Sequence, residues 1–340
     1  MKTKAASALV LAAGILSRSG HVAAAPADEP SPLGLERSAC RFFRLATMCR
    51  PLPVHPAVAP QSAEWTRVQH QPGAPVLFAT PDLGGANADP VILDEGARTT
   101  PHVLIADRFQ WSASSAGKLN GTLVPVPTGA VPEGDSDGHL SWRTPLGEYD
   151  AWAAEKPDAV PGSRWRVGGF GFCPVGGTGA GCSGSTATNL ATSLGLLDPR
   201  AIAAVMGDPH GILHTALAAS VLCASPAWVA PATYSDGKNT TDEVPCRGAA
   251  TLPPEGVRFF LDRTDDQIDA TDAPAWFKVV LRTLDREHYG GQVVDTGWGG
   301  GAGIQLQTMR EGWTSATREP IPQDILALAK DVEFCGNGSC

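Results

Sequence analysis

The chain has 340 residues, with 26 basic and 35 acidic side chains and a formal net charge of −9. That balance excludes nucleic acid and anionic membrane surfaces as expected partners, since both select a surplus of positive charge. Charged residues make up only 18%, whereas 38 glycines and 29 prolines predict short elements joined by turns, within one large domain or two modest ones.

Lys2 and Lys4 precede an apolar run from Ala5 to Leu16, too short to cross a membrane, and small residues follow to Ala25. This layout predicts a signal peptide over residues 1–25. Its loss removes Lys2, Lys4 and Arg18 but no acid, leaving 23 basic against 35 acidic residues and a net charge of −12. A secreted protein, extracellular or periplasmic, is expected, monomeric and without a membrane anchor. Residues 26–39 read as a flexible polar lead and residues 40–340 as a single β-rich domain of catalytic type. All eight cysteines lie beyond the signal and fall into close couples. The expected disulfides are Cys40–Cys49, Cys173–Cys182, Cys223–Cys246 and Cys335–Cys340. Zinc is disfavoured at these thiols, because no Cys-x-x-Cys occurs and export favours oxidation.

From Cys40 to Pro60 the prolines predict an irregular extended arm. Val76–Ala79, Pro90–Leu93 and His102–Ala106 read as short strands bounded by turn residues, and Leu123–Pro127 leads into the stretch that follows. The next stretch, Asp137 to Trp152, predicts a β-hairpin turning over Thr144–Gly147. On its first arm Asp137, His139, Ser141 and Arg143 share one face, and Leu140 and Trp142 the other. Pairing Arg143 with Glu148 sets Ser141 opposite Asp150 and His139 opposite Trp152. Such a face is either ordinary solvent polarity or a site that binds a sugar and moves a proton.

Trp165–Cys173 reads as one further strand, running into a Gly-rich segment over 175–185. That segment lacks a Walker-type Lys and is expected to be a disulfide-tied surface loop. Asp198 and Pro199 open a helix to Met206. Thr271 or Asp272 caps a second one, with an apolar stripe through Trp276, Phe277, Val280, Leu281 and Leu284, ending near His288–Gly291. Between the helices, Ile212–Ala219 reads as a strand carrying His214, Trp228–Gly237 as a strand and turn, and Pro254–Asp262 as a turn and strand. Arg258 there predicts a guanidinium held in an ion pair or toward a ligand. The fold class expected is all-β dominated, a β-sandwich or jelly roll with two short peripheral helices and several local disulfides.

Five motifs in order carry a resemblance: Asp137-Gly-His139, Glu148-Tyr-Asp150-Ala-Trp152, His214-Thr-Ala-Leu217, Pro231-Ala-Thr-Tyr234-Ser-Asp236-Gly237 and Pro254-Glu-Gly-Val-Arg258-Phe-Phe-Leu261. Over residues 124–310 the chain resembles a family of uncharacterised secreted bacterial proteins common in soil actinobacteria. Two departures stand out: Tyr234 replaces a histidine, and Thr215 interrupts His-Ala-Leu. The resemblance implies a shared β-rich architecture more than a reaction.

No Gly-x-Ser-x-Gly nucleophile motif occurs, and every cysteine has an expected disulfide partner. Proton-handling groups remain. The reading reached is a secreted polysaccharide-cleaving enzyme, a glycoside hydrolase using paired carboxylates with histidine assistance. Asp150 is the first catalytic candidate, with Asp137, His139, His214 and Tyr234; Trp152, Ser141, Asp236 and Arg258 are candidate substrate contacts. The alternatives are a polysaccharide lyase using a His/Tyr pair, or a non-catalytic glycan-binding module docking ligand on Trp152 and Trp142. No cofactor is required, although Asp137, His139, Asp150 and His214 form a candidate divalent-metal set.

Overall fold

The apolar side chains gather into three main interiors, one in each half of the chain and a third that joins Phe42, Phe43 and Met48 to Leu190, Leu194, Ala218 and Val294. The computed structural model describes residues 39–70, 78–79, 88–107, 116–134, 137–238, 246, 249–296, 303–336 and 340. The expected signal segment, and the lead up to residue 38, lie outside them. The described residues belong to one compact unit spanning 32–340. The molecule is β-dominated, with several sheets, one of them curled like half a barrel.

In the first half, β2 (Val91–Ile92), β5 (Leu140–Thr144), β6 (Gly147–Trp152) and β8 (Gly169–Pro174) form a four-stranded sheet in the order β2-β5-β6-β8. Beside it, β3 (Thr99–Ala106) is flanked by β4 (Leu123–Pro127) and β7 (Arg164–Val167). Leu104, Val124, Val126, Leu140, Trp142, Trp165 and Phe170 fill one core between them. The single strand expected over Trp165–Cys173 is two strands in two sheets. Gly168 and Gly169 carry no side chain that would hinder the corner between them. Trp142 is fully buried and stacks on Tyr149, with ring centroids 5.2 Å apart, so it cannot dock a ligand.

In the second half, β1 (Phe78–Ala79), β9 (Leu217–Val221), β12 (Arg258–Leu261), β13 (Gly291–Thr296), β14 (Ile304–Leu306) and β15 (Val332–Phe334) form a six-stranded mixed sheet, ordered β1-β14-β9-β13-β12-β15. Its centre is the parallel pair β9/β13. A small parallel pair, β10 (Ser225–Trp228) and β11 (Pro254–Glu255), lies apart from it. The helical segments are α1 (Ala39–Phe42), α2 (Ser62–Val68), α3 (Ala116–Leu119), α4 (Pro199–Val205), α5 (Asp265–Asp269), α6 (Ala275–Leu284) and α7 (Gln323–Leu326).

Both expected helices form, as α4 and α6, but α6 is not peripheral. Its Trp276, Phe277, Val279, Val280, Leu281 and Leu284 are buried against Leu217, Val221, Phe259 and Val293 of the sheet. Its N-cap is Pro274 rather than Thr271 or Asp272, because Thr271 closes the preceding helix, its hydroxyl donating to Ile268 O at 2.7 Å. The proline-rich arm contains α1 and a single turn at Thr47–Cys49 before it runs extended. All four expected disulfides are present.

The Gly-rich segment is the expected disulfide-tied surface loop as far as Cys182, and departs from expectation beyond it. Residues 174–178 do face solvent in the main, but every residue from Ser183 to Pro199 is buried. Two glycines allow this. A Cβ at Gly171 would meet Cys182 O at 2.1 Å, and one at Gly184 would meet the Phe170 carbonyl carbon at 2.1 Å, so loop and β8 touch backbone to backbone. Gly184→Ala should therefore lower the unfolding free energy by about 3 kcal/mol, at the upper end of ordinary overpacking costs. A calorimetric Tm equal to the parent's would show that the loop does not need this contact.

Candidate functional site

The hairpin has the expected register, with Arg143 opposite Glu148 and Ser141 opposite Asp150. Its polar face is not open to water: Ser141, Arg143, Glu148 and Asp150 are all buried, beneath the Ser183–Ser193 loop. Arg143 Nε donates to Glu148 Oε2 at 3.1 Å and Arg143 Nη2 to Ser193 Oγ at 2.7 Å. Glu148 also accepts from the Ser193 hydroxyl and, at 2.9 Å, from the Ser193 N–H. Asp150 Oδ2 accepts from the Thr192 N–H at 3.3 Å. Burial, then the neighbouring charge of Glu148, pushes the Asp150 carboxyl well up, against weaker hydrogen-bonding contributions from Ser141 and Ser183. Asp150 and Ser141 thus lie under the surface, where neither reaches a dissolved ligand.

At the outer end of this face the groups become accessible. His139 is only partly buried, and its Nδ1 lies 2.7 Å from Ser185 Oγ and 3.8 Å from Asp89 Oδ1. Parallel pairing of Val91 with Ser141 sets Asp89 beside His139, and the Glu133 N–H donates to His139 O at 2.8 Å. Asp89, Glu133 and His139 each offer one ligand atom, all within 4.8 Å of one another, a set that could hold a divalent cation.

A second group of acids approaches from the six-stranded sheet. The β9/β13 register shifts between Val293 and Asp295, a bulge that turns Asp295 onto the same face as Ser220. Asp295 is pushed well up by burial first and then by the charges of Asp236, Asp137 and Asp89. Glu255, fully buried, accepts from Thr296 Oγ1 at 2.9 Å. Burial and hydrogen-bonding contact with Asp236 push it up to about 10. The segment after β14 completes the convergence, since the Asp89 N–H donates to Thr308 O at 3.0 Å. Asp89, Asp137, His139, Asp236 and Asp295 therefore belong to one partly exposed acidic centre, with Glu133 and Glu255 beneath it. No family model, curated protein or solved structure matches this chain.

Of the residues singled out in the sequence, Asp137, His139 and Asp236 meet here. Tyr234, two residues before Asp236, is half-buried, as is Trp152 at the end of β6. His214 is elsewhere. It sits in a bend before β9, not on a strand, because pairing with β13 begins only at Leu217. Its neighbours are His288 and Tyr289, the Tyr289 hydroxyl being 3.4 Å from its Nδ1. They lie at the end of the parallel pair opposite Asp295. Among the described residues no ion pair of Arg258 is found. Its guanidinium donates to the backbone oxygens of Tyr289, Thr47 and Arg50, and burial lowers it to about 10. The metal set read from sequence accordingly splits: Asp137 and His139 are at the acidic centre, Asp150 beneath it and His214 remote.

Asp89, Glu133, Glu255 and Asp295 escaped the sequence reading. Glu255 stands in the same Pro-Glu-Gly turn that drew attention to Arg258. Asp89 precedes a proline and a strand. Asp295 carries no local signal, because a bulge made by pairing turns it inward.

Two measurements address these groups. Arg143→Met strands a buried carboxylate and should cost about 3–5 kcal/mol in denaturant unfolding, with part recovered by adding Glu148→Leu. An effect below about 1 kcal/mol would contradict the buried pair. Glu255 holds a proton in the folded state that the unfolded chain releases above its ordinary value of 4.5. Its stabilising contribution is complete below that value and is lost as pH rises toward about 10. Tm should fall across this window and fall less steeply in Glu255→Gln; equal slopes would exclude Glu255 as a source.

Proposed function

We propose that the protein is a secreted glycan-cleaving hydrolase whose working groups are the carboxylates around His139. One observation carries this reading: Asp295, pushed well up from the ordinary carboxylate range by burial and then by Asp236, sits among acids of which Asp137 is exposed. Two carboxyl groups whose surroundings push their proton affinities apart are what acid–base cleavage of a glycosidic bond uses. Asp295 is the acid that protonates the leaving oxygen, and Asp137 or Asp236 is the base or nucleophile. His139 presents Nε2 to a sugar hydroxyl while Ser185 engages its Nδ1. Trp152, at the strand end, offers an indole for stacking on a ring.

Secretion agrees with the four disulfides, which favour an oxidising compartment, and no helix among the described residues is long and apolar enough to cross a membrane. The four- and three-stranded sheets sharing the Trp142–Trp165 core serve in this proposal as the two leaves of a small sandwich. A second reading rests on the convergence of Asp89, Glu133 and His139: a divalent cation there activates the attacking water. Elimination by a His214/Tyr234 pair has less support, because His214 lies at the other end of β9.

Screening polysaccharides for new reducing ends should yield a hydrolysed substrate. Asp295→Asn and Asp137→Asn should each slow that reaction by at least about 100-fold, with Tm unchanged or raised. Full activity in both variants would remove the assignment. Activity lost in EDTA and restored by cation would select the metal reading, unsaturated ends would indicate elimination, and binding without cleavage would mark a glycan-binding module.

A further inference from the structure

A second convergence of ligand-type groups lies at the far end of the sheet, outside everything used above. Asp265 opens α5, Asp285 follows the last residue of α6, and His288 stands in the turn before β13. His288 Nε2 is 3.3 Å from Asp265 Oδ2 and 3.9 Å from Asp285 Oδ2. All three residues place one ligand atom within 4.8 Å of the others. Around a tetrahedral zinc ion with bonds of about 2.1 Å, ligand atoms sit roughly 3.4 Å apart, so only small side-chain adjustments would close this set on a cation.

An independent observation points to an occupant. Asp285 is fully buried. Its Oδ1 accepts from the Glu287 N–H at 2.7 Å, whereas its Oδ2 meets no N–H or hydroxyl donor among the described residues, and the carboxyl bonds that of Asp265 only through a shared proton. A buried carboxylate oxygen facing a second carboxylate requires positive charge or a proton between them. Among the described residues, Arg286 is turned away to Asp262, at 2.8 Å, and does not supply it. His214, beside Tyr289 and within electrostatic range of His288, is the nearest further nitrogen donor.

We propose that Asp265, Asp285 and His288 form a structural divalent-cation site, with zinc as the fitting ion, which ties the start of α5 and the end of α6 to the entry of β13. One imidazole nitrogen with two carboxylate oxygens suits zinc, whereas magnesium and calcium favour all-oxygen sets. His288 and Asp265 keep about a quarter of their side-chain surface exposed, 25% and 26%, so a cation has a route in. The ion replaces a proton shared by the two acids, and it stabilises the fold without touching the acidic centre around His139.

The test uses the secreted full-length chain, stripped with EDTA and dialysed, with Tm read against added zinc chloride and, separately, magnesium chloride. At zinc about 100-fold above its dissociation constant, Tm should rise by about 4 °C or more, with no comparable rise in magnesium. The zinc-dependent rise should vanish in Asp285→Asn and persist in Glu133→Gln, which alters the other cation-type cluster. Should Asp285→Asn fail to fold, the partly exposed Asp265→Asn decides. A parent Tm insensitive to zinc, or a rise retained in the Asp285 or Asp265 variant, overturns the site and leaves a proton-sharing acid pair.

Discussion

Two carboxylates on one strand, Glu148 and Asp150, are buried away from bulk solvent. Taking such groups out of water is tolerable only where dipoles, protons or counter-charges replace the hydration shell. Arg143 neutralises Glu148, while Ser193 and Thr192 donate backbone and hydroxyl hydrogens. Asp150, next to an existing negative charge, is driven toward its protonated form. The loop that supplies these donors is rich in Ser and Thr for that reason, and Gly171 and Gly184 allow it to approach closely enough to do so.

This buried layer also positions the accessible groups. Ser185, from the same loop, engages His139 Nδ1 and lies 3.3 Å from Ala151 O. His139 is therefore oriented by the segment that solvates Glu148 and Asp150. Around it, elements from both halves of the chain contribute acids: Asp89 before β2, Asp137 before β5, Asp236 after β10 and Asp295 on β13. Burial first, and then repulsion from Asp236 and the other acids, pushes the Asp295 carboxyl well up, which makes it the candidate proton donor of the proposed reaction.

The hairpin was legible because its signals are local. Alternation placed Leu140 and Trp142 in the core and Ser141, Arg143 and His139 on the other face, and Pro145 and Gly147 set the register. Neighbouring cysteines gave the disulfides for the same reason. What alternation cannot reveal is what covers a polar face. Solvent and a Ser/Thr-rich loop satisfy the same hydrogen bonds, so Asp150 read as a surface acid although it is sealed. Asp89 and Asp295 were illegible because their place depends on pairing with residues 50 and 75 positions away, in strands whose register no local pattern specifies. His214 failed differently. An apolar run around a histidine looks like a strand, but the strand begins only where a parallel neighbour exists.

The parallel pair β9/β13 explains how the fold carries two acid-rich clusters at once. From Leu217 to Val221 the chain advances four residues, roughly 13 Å at the usual rise of an extended strand. The acids around Asp295 lie at one end of that span and Asp285 with His288 at the other. Between them the strands bury Leu217, Ala219, Val221 and Val293. The span exceeds the screening length of about 8 Å at physiological salt, so charges at the two ends interact weakly where solvent reaches them. Each cluster can then hold its own proton or cation without setting the state of the other. An apolar strand centre with acids confined to its ends is thus the arrangement that would let one sheet keep the proposed reactive centre at one end of its strands and the proposed cation site at the other.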